Sequence, residues 1–341
     1  MNDFNKCVSI ISPCYNGEKY VGGFLNSVLN QTYPNIELIF IDDASTDSTE
    51  EIVKSYIDKF AGKGYSLVYH RQNDNKGQAA AINVGLKQFS GTYVAWMDSD
   101  DVYYPNAIED RVVFLQKNPQ LDFVLTQGEI VNEEDIHTRK GLLRRVKPEN
   151  NDNLFKDLLD EKNVVFCPGT ILVRTDSLRK SIPNLSIYES REGQNWQLML
   201  PLAYKCKYGY INEVQFKYVV HNDSHSHVKR TYDQSIKRRY NFYVLLKETI
   251  SNIPGMTNQE MSFWISYVYD RMLYSQCIIA MQYYKLADYY MKRKELISRG
   301  FDVTQHKELS LHHFLANRLV ARIRYLIRRF GSVLKRVFQK L

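Results

Sequence analysis

Cysteine is sparse and scattered, at Cys7, Cys14, Cys167, Cys206 and Cys277, with no CxxC pair. An odd, dispersed set argues against a disulfide framework and fits a reducing compartment. The opening MNDFNKC lacks a basic segment followed by an apolar run, so no secretory signal is expected. Nor is there a run of about 18 uncharged apolar residues, so no helix is expected to span a bilayer. The most apolar helical region, residues 264–284, is interrupted by Asp270 and Arg271. Internal repeats and low-complexity segments are missing as well. Acidic residues stop at Glu308, beyond which stand eight basic ones: Arg318, Arg322, Arg324, Arg328, Arg329, Lys335, Arg336 and Lys340. The net charge of +7 therefore belongs to the tail, since the rest of the chain holds 37 basic against 38 acidic residues.

What is present fits a globular chain. A length of 341 residues, with 44% hydrophobic and 24% charged residues, can bury a large core and more than one domain. The 25 tyrosines favour polar-rimmed grooves over an oily interior. The first third alternates strand and helix. CVSIIS, IELIFI, SLVYH and YVAWM read as strands. Helical spacing covers residues 18–30, then a segment using Ile52, Val53, Tyr56 and Ile57, then residues 78–89 and 107–117. Ser48 followed by Glu51 predicts a capping box for the second of these helices. FCPGTILVR reads as a further strand and residues 191–204 as a helix, and the chain from 231 to 300 is tyrosine-rich and helical.

Strands and helices alternating in this way imply βαβ units, an α/β class and a mainly parallel sheet. Such sheets bind ligands beyond the carboxyl ends of their strands. The polar clusters sit there: Pro13-Cys14-Tyr15-Asn16 after the first strand, Asp42-Asp43 after the second, and Asp98-Ser99-Asp100-Asp101 after the fourth. Carboxylates that crowded repel one another, so either a positive group stands between them or the turn is simply solvated.

VSIISPCYNGEKYV, QTYPNIELIFIDDASTDST, NKGQAAAINVGL and GTYVAWMDSDD together resemble the successive blocks of family 2 glycosyltransferases with the GT-A fold. The likeness extends over about residues 7–225. It implies a GT-A domain over 1–228, followed by a helical region over 229–308 and a basic amphipathic tail over 309–341. It also implies an inverting transfer from a nucleotide-sugar, in the first instance a UDP-sugar, to a glycan hydroxyl in cell-surface polysaccharide or lipopolysaccharide synthesis. The enzyme would be a hexosyl- or N-acetylhexosaminyl-transferase. Departure of the diphosphate builds negative charge, which Mn²⁺ or Mg²⁺ held by carboxylates and phosphate oxygens would stabilise. By the resemblance Asp100 touches the metal and Asp98 lies by the ribose and the metal's waters, while Asp101 caps the next turn. Asp42 would accept from uracil N3–H, Tyr15 would stack on the base, and Pro13 would shape the pocket. The other reading of Asp42 and Asp43 is as caps of the following helix. Asn16 and Glu18 belong to the same motif, though Glu18 could equally serve as helix first-turn charge. Asn75, Gly77 and Asn83 belong to the third block.

Departures from the family pattern matter. Ile82 stands where an Arg is frequent, so a phosphate contact must come from elsewhere, either Arg71 or the basic loop Arg139, Lys140, Arg144, Arg145 and Lys147. The usual Glu-Asp pair before an aromatic aligns with Gln194-Asn195, ahead of Trp196. Neither is a base, which makes Glu192 the candidate general base, with Glu189 weaker. Trp196 would be an acceptor platform or a core residue. In YVVHNDSHSH, Val219 replaces the family's Arg. His221 is a candidate third metal ligand or diphosphate contact, and a plain polar loop is the other reading. A zinc site with His225 and His227 is disfavoured because no further ligands accompany them.

From Leu311 onward an apolar stripe lies opposite a face of Arg and Lys, which predicts an amphipathic helix on an anionic membrane surface. Docking on the body or on another subunit is the other possibility. No recognition motif supports nucleic-acid binding. The rivals to a transferase are a catalytically degenerate GT-A partner protein and a nucleotidyltransferase.

Overall fold

The computed structural model describes residues 5–145, 153–165, 167–221, 230–310 and 314–315. Its first four strands are β1 (Val8–Cys14), β2 (Ile36–Asp42), β3 (Ser66–Arg71) and β4 (Tyr93–Trp96). They pair in parallel in the order β3-β2-β1-β4. The crossovers carry α1 (Val21–Leu29), α2 (Thr49–Lys54), α3 (Ile57–Gly62) and α4 (Gln78–Gly85). Every residue of β1 is buried, which is why CVSIIS reads as a continuous apolar run: a central parallel strand has helices on both faces.

The chain continues through β5 (Val102–Tyr103), α5 (Ala107–Lys117), β6 (Phe123–Asn132), β7 (Gly141–Leu143), α6 (Leu154–Asp160), β8 (Ile171–Arg174), α7 (Thr175–Ser181), α8 (Gln194–Lys205) and β9 (Tyr208–Val220). These strands extend the sheet as β4-β8-β6-β9-β5, with β7 on β6. Here the pairing is mixed. β8 runs antiparallel to both β4 and β6, β9 runs parallel to β6, and β5 is antiparallel to β9. The expectation of a mainly parallel sheet thus holds for the first half, and the second half reverses direction at β8.

One core detail sets the join with β9. The Phe216 ring lies on two glycines, so a Cβ at Gly128 would come within 2.0 Å of it and one at Gly169 within 2.7 Å. Beside it Arg111 is fully buried, with Nε donating to Gln215 at 2.9 Å and Nη2 to the Gly169 carbonyl at 2.7 Å. A buried charge is tolerated because these acceptors replace water.

Several local expectations change. The capping box at Ser48 does not form, because Glu18 accepts from the Ser48 amide at 3.0 Å and Asp47 from the Thr49 amide at 3.1 Å. The single helix expected there is two short ones, broken at Ser55-Tyr56. α1 starts at Val21 rather than residue 18, and α4 ends at Gly85 rather than residue 89. At Gly85 a Cβ would meet Ile11 at 2.4 Å, so helix and strand approach closely. Of the described residues in the FCPGTILVR segment, the last four are strand, preceded by a 3₁₀ turn at Pro168–Thr170. α8 begins at Gln194 rather than residue 191, because Gly193 is left-handed at φ 64°.

Residues 1–228 with 244–262 form one compact unit, and 229–243 with 263–341 form a second. The helical region comprises α9 (Tyr232–Ser251), α10 (Asn258–Gln282) and α11 (Leu286–Ser298). The second unit packs Met272, Leu273, Cys277, Met281, Tyr289 and Leu296. No helix among the described residues is long and apolar enough to cross a membrane. Of the basic tail, only Phe314 and Leu315 lie within the described residues.

Candidate active site

The loops after β1, β2 and β4 meet at the carboxyl edge of the parallel strands, and hydrogen bonds lace the first two together. Asn16, left-handed at φ 51°, donates its amide to Ser45 Oγ at 2.9 Å and accepts from the Thr46 amide at 2.8 Å. The Gly17 amide donates to Thr49 Oγ1 at 2.8 Å, and a Cβ there would lie 2.4 Å from Cys14 Sγ. Glu18 closes the same seam through Ser48. Asn16 and Glu18 therefore hold the loop in shape. Pro13 is buried in β1, whereas Tyr15 projects into solvent, 48% exposed.

Asp42 is fully buried. Its Oδ1 accepts from the Ser45 amide at 2.7 Å, and its Oδ2 accepts from Tyr69 at 2.6 Å and Arg71 at 3.1 Å. Asp43 is equally committed, accepting from the amides of Lys76 and Gly77 at 2.9 and 2.7 Å. Neither aspartate caps the next helix, which corrects that alternative. Asp43 instead shapes the turn at Gly77, itself left-handed at φ 92°. Arg71, a sequence candidate for the diphosphate, spends its guanidinium on Asp42, on Glu50 at 3.1 Å and on the Ser45 carbonyl at 2.7 Å.

Asp98, Asp100 and Asp101 each offer a carboxylate oxygen, and these oxygens lie within 4.8 Å of one another. Burial, reinforced by Asp100, pushes Asp98 up to about 7. Burial and both neighbours raise Asp101 well above the carboxylate range. Gln78, at the start of α4, donates to Asp98. Asp101 does not cap the next turn. It is fully buried and accepts the Val219 amide of β9 at 2.9 Å, while its Oδ2 is buried without a partner. Where the family pattern has Arg, Val219 thus contributes its backbone. His221 follows on the same strand end, with Nε2 3.4 Å from Asp100 Oδ2. That nitrogen too is buried and lacks a hydrogen-bond partner. Three carboxylates that disfavour each other's charge, and a buried imidazole nitrogen facing them, suit a hard divalent cation. Nearby thiols add nothing to that charge, since burial raises Cys14 to about 12 and Cys167 well above its usual value.

The remaining candidates lie on a segment pinned to the third block. Asn83 is buried, donates to the Ile187 carbonyl at 2.9 Å and accepts the Ile187 amide at 2.8 Å, so it positions backbone. Arg191 donates to Asn75 Oδ1 and to the Asn75 carbonyl, both at 3.0 Å, next to Gly77. Glu192 follows, half-buried, two residues before α8. Sequence reasoning missed Gln78, Arg191 and Glu133, the last of which lies near His221.

The family model for glycosyl transferase family 2 matches residues 9–182. The chain belongs to glycosyltransferase family 2. EpsE, a putative glycosyltransferase of Bacillus subtilis (strain 168), is 32% identical over 229 residues, covering 67% of this chain and 78% of that protein. An uncharacterized glycosyltransferase of Rickettsia prowazekii is 38% identical over 148 residues, 43% of each chain. The chain spans less than half the length of such Rickettsia relatives, 23 to 43%. TarS of S. aureus, residues 1–349 in complex with UDP-GlcNAc, superposes with a TM-score of 0.55 at 18% identity, over 85% of this chain and 90% of that one. At that identity the likeness shows the fold, which is GT-A.

In this family 2 chain the basic loop supplies fewer free cations than its sequence suggests. Arg139 pairs with Glu129 at 2.6 Å, and Arg145 is buried against Asp157 at 3.0 Å. Lys147 lies outside the described residues, as do His225 and His227. Trp196 donates its indole N–H to the Leu158 carbonyl at 3.1 Å, which ties α8 to α6.

Proposed function

We propose that the chain is an inverting glycosyltransferase that moves a sugar from a UDP-sugar to a glycan hydroxyl. Mn²⁺ or Mg²⁺ at Asp100, with Asp98 and His221, would neutralise the departing diphosphate. Tyr15 would stack on the base and Asp42 would read it, with Asn16, Glu18, Asn75, Gly77, Asn83 and Arg71 shaping the donor cleft and Pro13 forming its floor. Glu192 would take the acceptor proton. The observation that carries this reading is the carboxylate cluster at the edge of β4 with a buried, unpartnered imidazole nitrogen facing it. The UDP-GlcNAc bound by TarS supports the donor class.

The acceptor would be a growing surface glycan, including a lipid-linked one. The chain would act on the cytoplasmic face of the plasma membrane, held there by the tail beyond 308 as a third segment after the GT-A domain and the helical region. Exposed Leu286, Tyr290, Met291 and Ile297 on α11, with Lys294 among them, support a lipid-facing helical region.

The test is UDP release over a panel of UDP-sugars, with and without Mn²⁺. Asp100→Ala should abolish release, and Glu192→Gln should lower turnover by about 10²–10⁴ while donor binding persists. Pyrophosphate release from UTP would instead mark a nucleotidyltransferase. The start of α8 at Gln194-Asn195 favours one second reading, a degenerate partner protein, which intact UDP binding without turnover for any donor would establish.

A further inference from the structure

Glu133 lies just past β6, outside every motif that drew attention to the site. Its Oε2 accepts from the Lys19 ammonium at 2.6 Å and from the Tyr20 hydroxyl at 3.0 Å. The same oxygen stands 3.4 Å from Nδ1 of His221. Both side chains are close to buried, at 12% and 6% exposure. The Tyr20 ring covers one face of the imidazole, with centroids 3.7 Å apart at 35°. On its far side, Nε2 points at Asp100 Oδ2 from 3.4 Å and makes no hydrogen bond.

Imidazole is thus held between two carboxylates, of which Glu133 already accepts from Lys19 and Tyr20. A neutral ring has one N–H and one lone pair, and the partner of the first nitrogen decides which way the second faces. A carboxylate has no proton to donate, and Glu133 already accepts from Lys19 and Tyr20, so toward the ring it acts as an acceptor. In the neutral ring the proton therefore belongs on Nδ1, and the Nε2 lone pair faces Asp100. Lone pair against carboxylate is repulsive unless a cation sits between them.

We propose that Glu133 is the positioning residue of the cation site: it takes the Nδ1–H of His221 and so fixes the tautomer whose Nε2 faces the ion gripped by Asp100. This rests on the metal-dependent reading above and deepens it. Through Tyr20 and Lys19 the same carboxylate also anchors the segment that follows the Tyr15 loop, so one side chain sets the cation's imidazole relative to the proposed base-stacking loop.

Two measurements on the full chain test this. Histidine ¹⁵N NMR of the metal-free protein, recorded at a pH where the His221 ring is neutral, should show it protonated on Nδ1; an Nε2–H tautomer overturns the proposal without any variant. Mn²⁺ titration followed by electron paramagnetic resonance should give a dissociation constant about 10–100-fold higher in Glu133→Ala. Lys19→Met, which keeps the Tyr20 hydrogen bond to Glu133, should raise it by much less than Glu133→Ala does. Combining Glu133→Ala with His221→Ala should weaken binding no further than His221→Ala alone, because the two act as a unit. Unaltered Mn²⁺ affinity in Glu133→Ala, with wild-type binding intact, overturns the role of Glu133 only. A wild-type chain that binds no Mn²⁺ overturns the metal-dependent reading and this proposal together.

Discussion

Asp98 gives the cation site a pH dependence whose size follows from its surroundings. Its carboxyl is raised from 3.8 to about 7, chiefly by burial and then by the Asp100 charge, with the Gln78 hydrogen bond opposing. The other groups around it are Asp101, which is itself pushed toward its neutral form, the uncharged thiols of Cys14 and Cys167, and His221 across Asp100. A folded value above the unfolded one means that the cation-free fold loses stability as pH rises from about 4 to about 7, and no more above that. A bound divalent ion needs the carboxylate anion, whether it touches the ion or its waters. With Asp98 held up at about 7 and its anion needed at the ion, Mn²⁺ should bind roughly an order of magnitude more weakly at pH 6 than at pH 8. Titrating Mn²⁺ into nucleotide-free protein at both pH values measures this directly. Added Mn²⁺ should also raise Tm more at pH 8 than at pH 6. The slope should flatten in Asp98→Asn and persist in His221→Gln, which removes the imidazole and leaves the three carboxylates in place. A flat wild-type profile, or an Asp98→Asn profile as steep as wild type, refutes the reasoning.

Asn83→Ala removes both hydrogen bonds to Ile187 and leaves a buried amide and carbonyl unpaired, so it should cost about 2–4 kcal/mol in chemical denaturation and displace the segment that carries Glu192. Gly128→Ala drives a Cβ into the Phe216 ring and should destabilise by about 1–3 kcal/mol or more, partly restored by Phe216→Leu, as read by thermal melting. Ending the chain at Gln305 should abolish flotation with anionic liposomes; flotation equal to that of the full chain would sink the membrane reading of the tail.

The parallel half of the fold was legible because its strands announce themselves. CVSIIS and YVAWM are buried on both faces and bounded by polar turns, and the aspartates after β4 stand where the topology puts ligands. The second half was harder to read, because β8 and β9 find partners far along the chain and no local pattern reports strand direction. Two buried arginines were not anticipated as such. Arg111 follows Ile108 by three and precedes Leu115 by four, with Val112 beside it, so its place on the apolar face of α5 was visible in the spacing. Arg145 gave no such sign within its basic loop. Glu133 looked like one acid in a turn, since its partners lie 88 and 113 residues away in sequence.

The same distances explain how the rim can hold so many carboxylates. Each acid near the cleft has been assigned a donor from another loop: Asp42 from Tyr69 and Arg71, Asp43 from the Gly77 turn, Asp101 from β9, Glu133 from the start of α1. Asp100, 43% exposed, keeps an open carboxylate in the midst of them, and the Oδ2 of Asp101 is buried without a partner beside it. Asp42 retains one further acceptor position, since Oδ1 takes only the Ser45 amide while a carboxylate oxygen can accept twice. A base N–H could occupy that position without displacing Tyr69 or Arg71, once the buried Asp42 carboxylate is uncovered. On this view the laced loops hold the carboxylates in advance, so that donor binding meets charges already oriented rather than having to gather them.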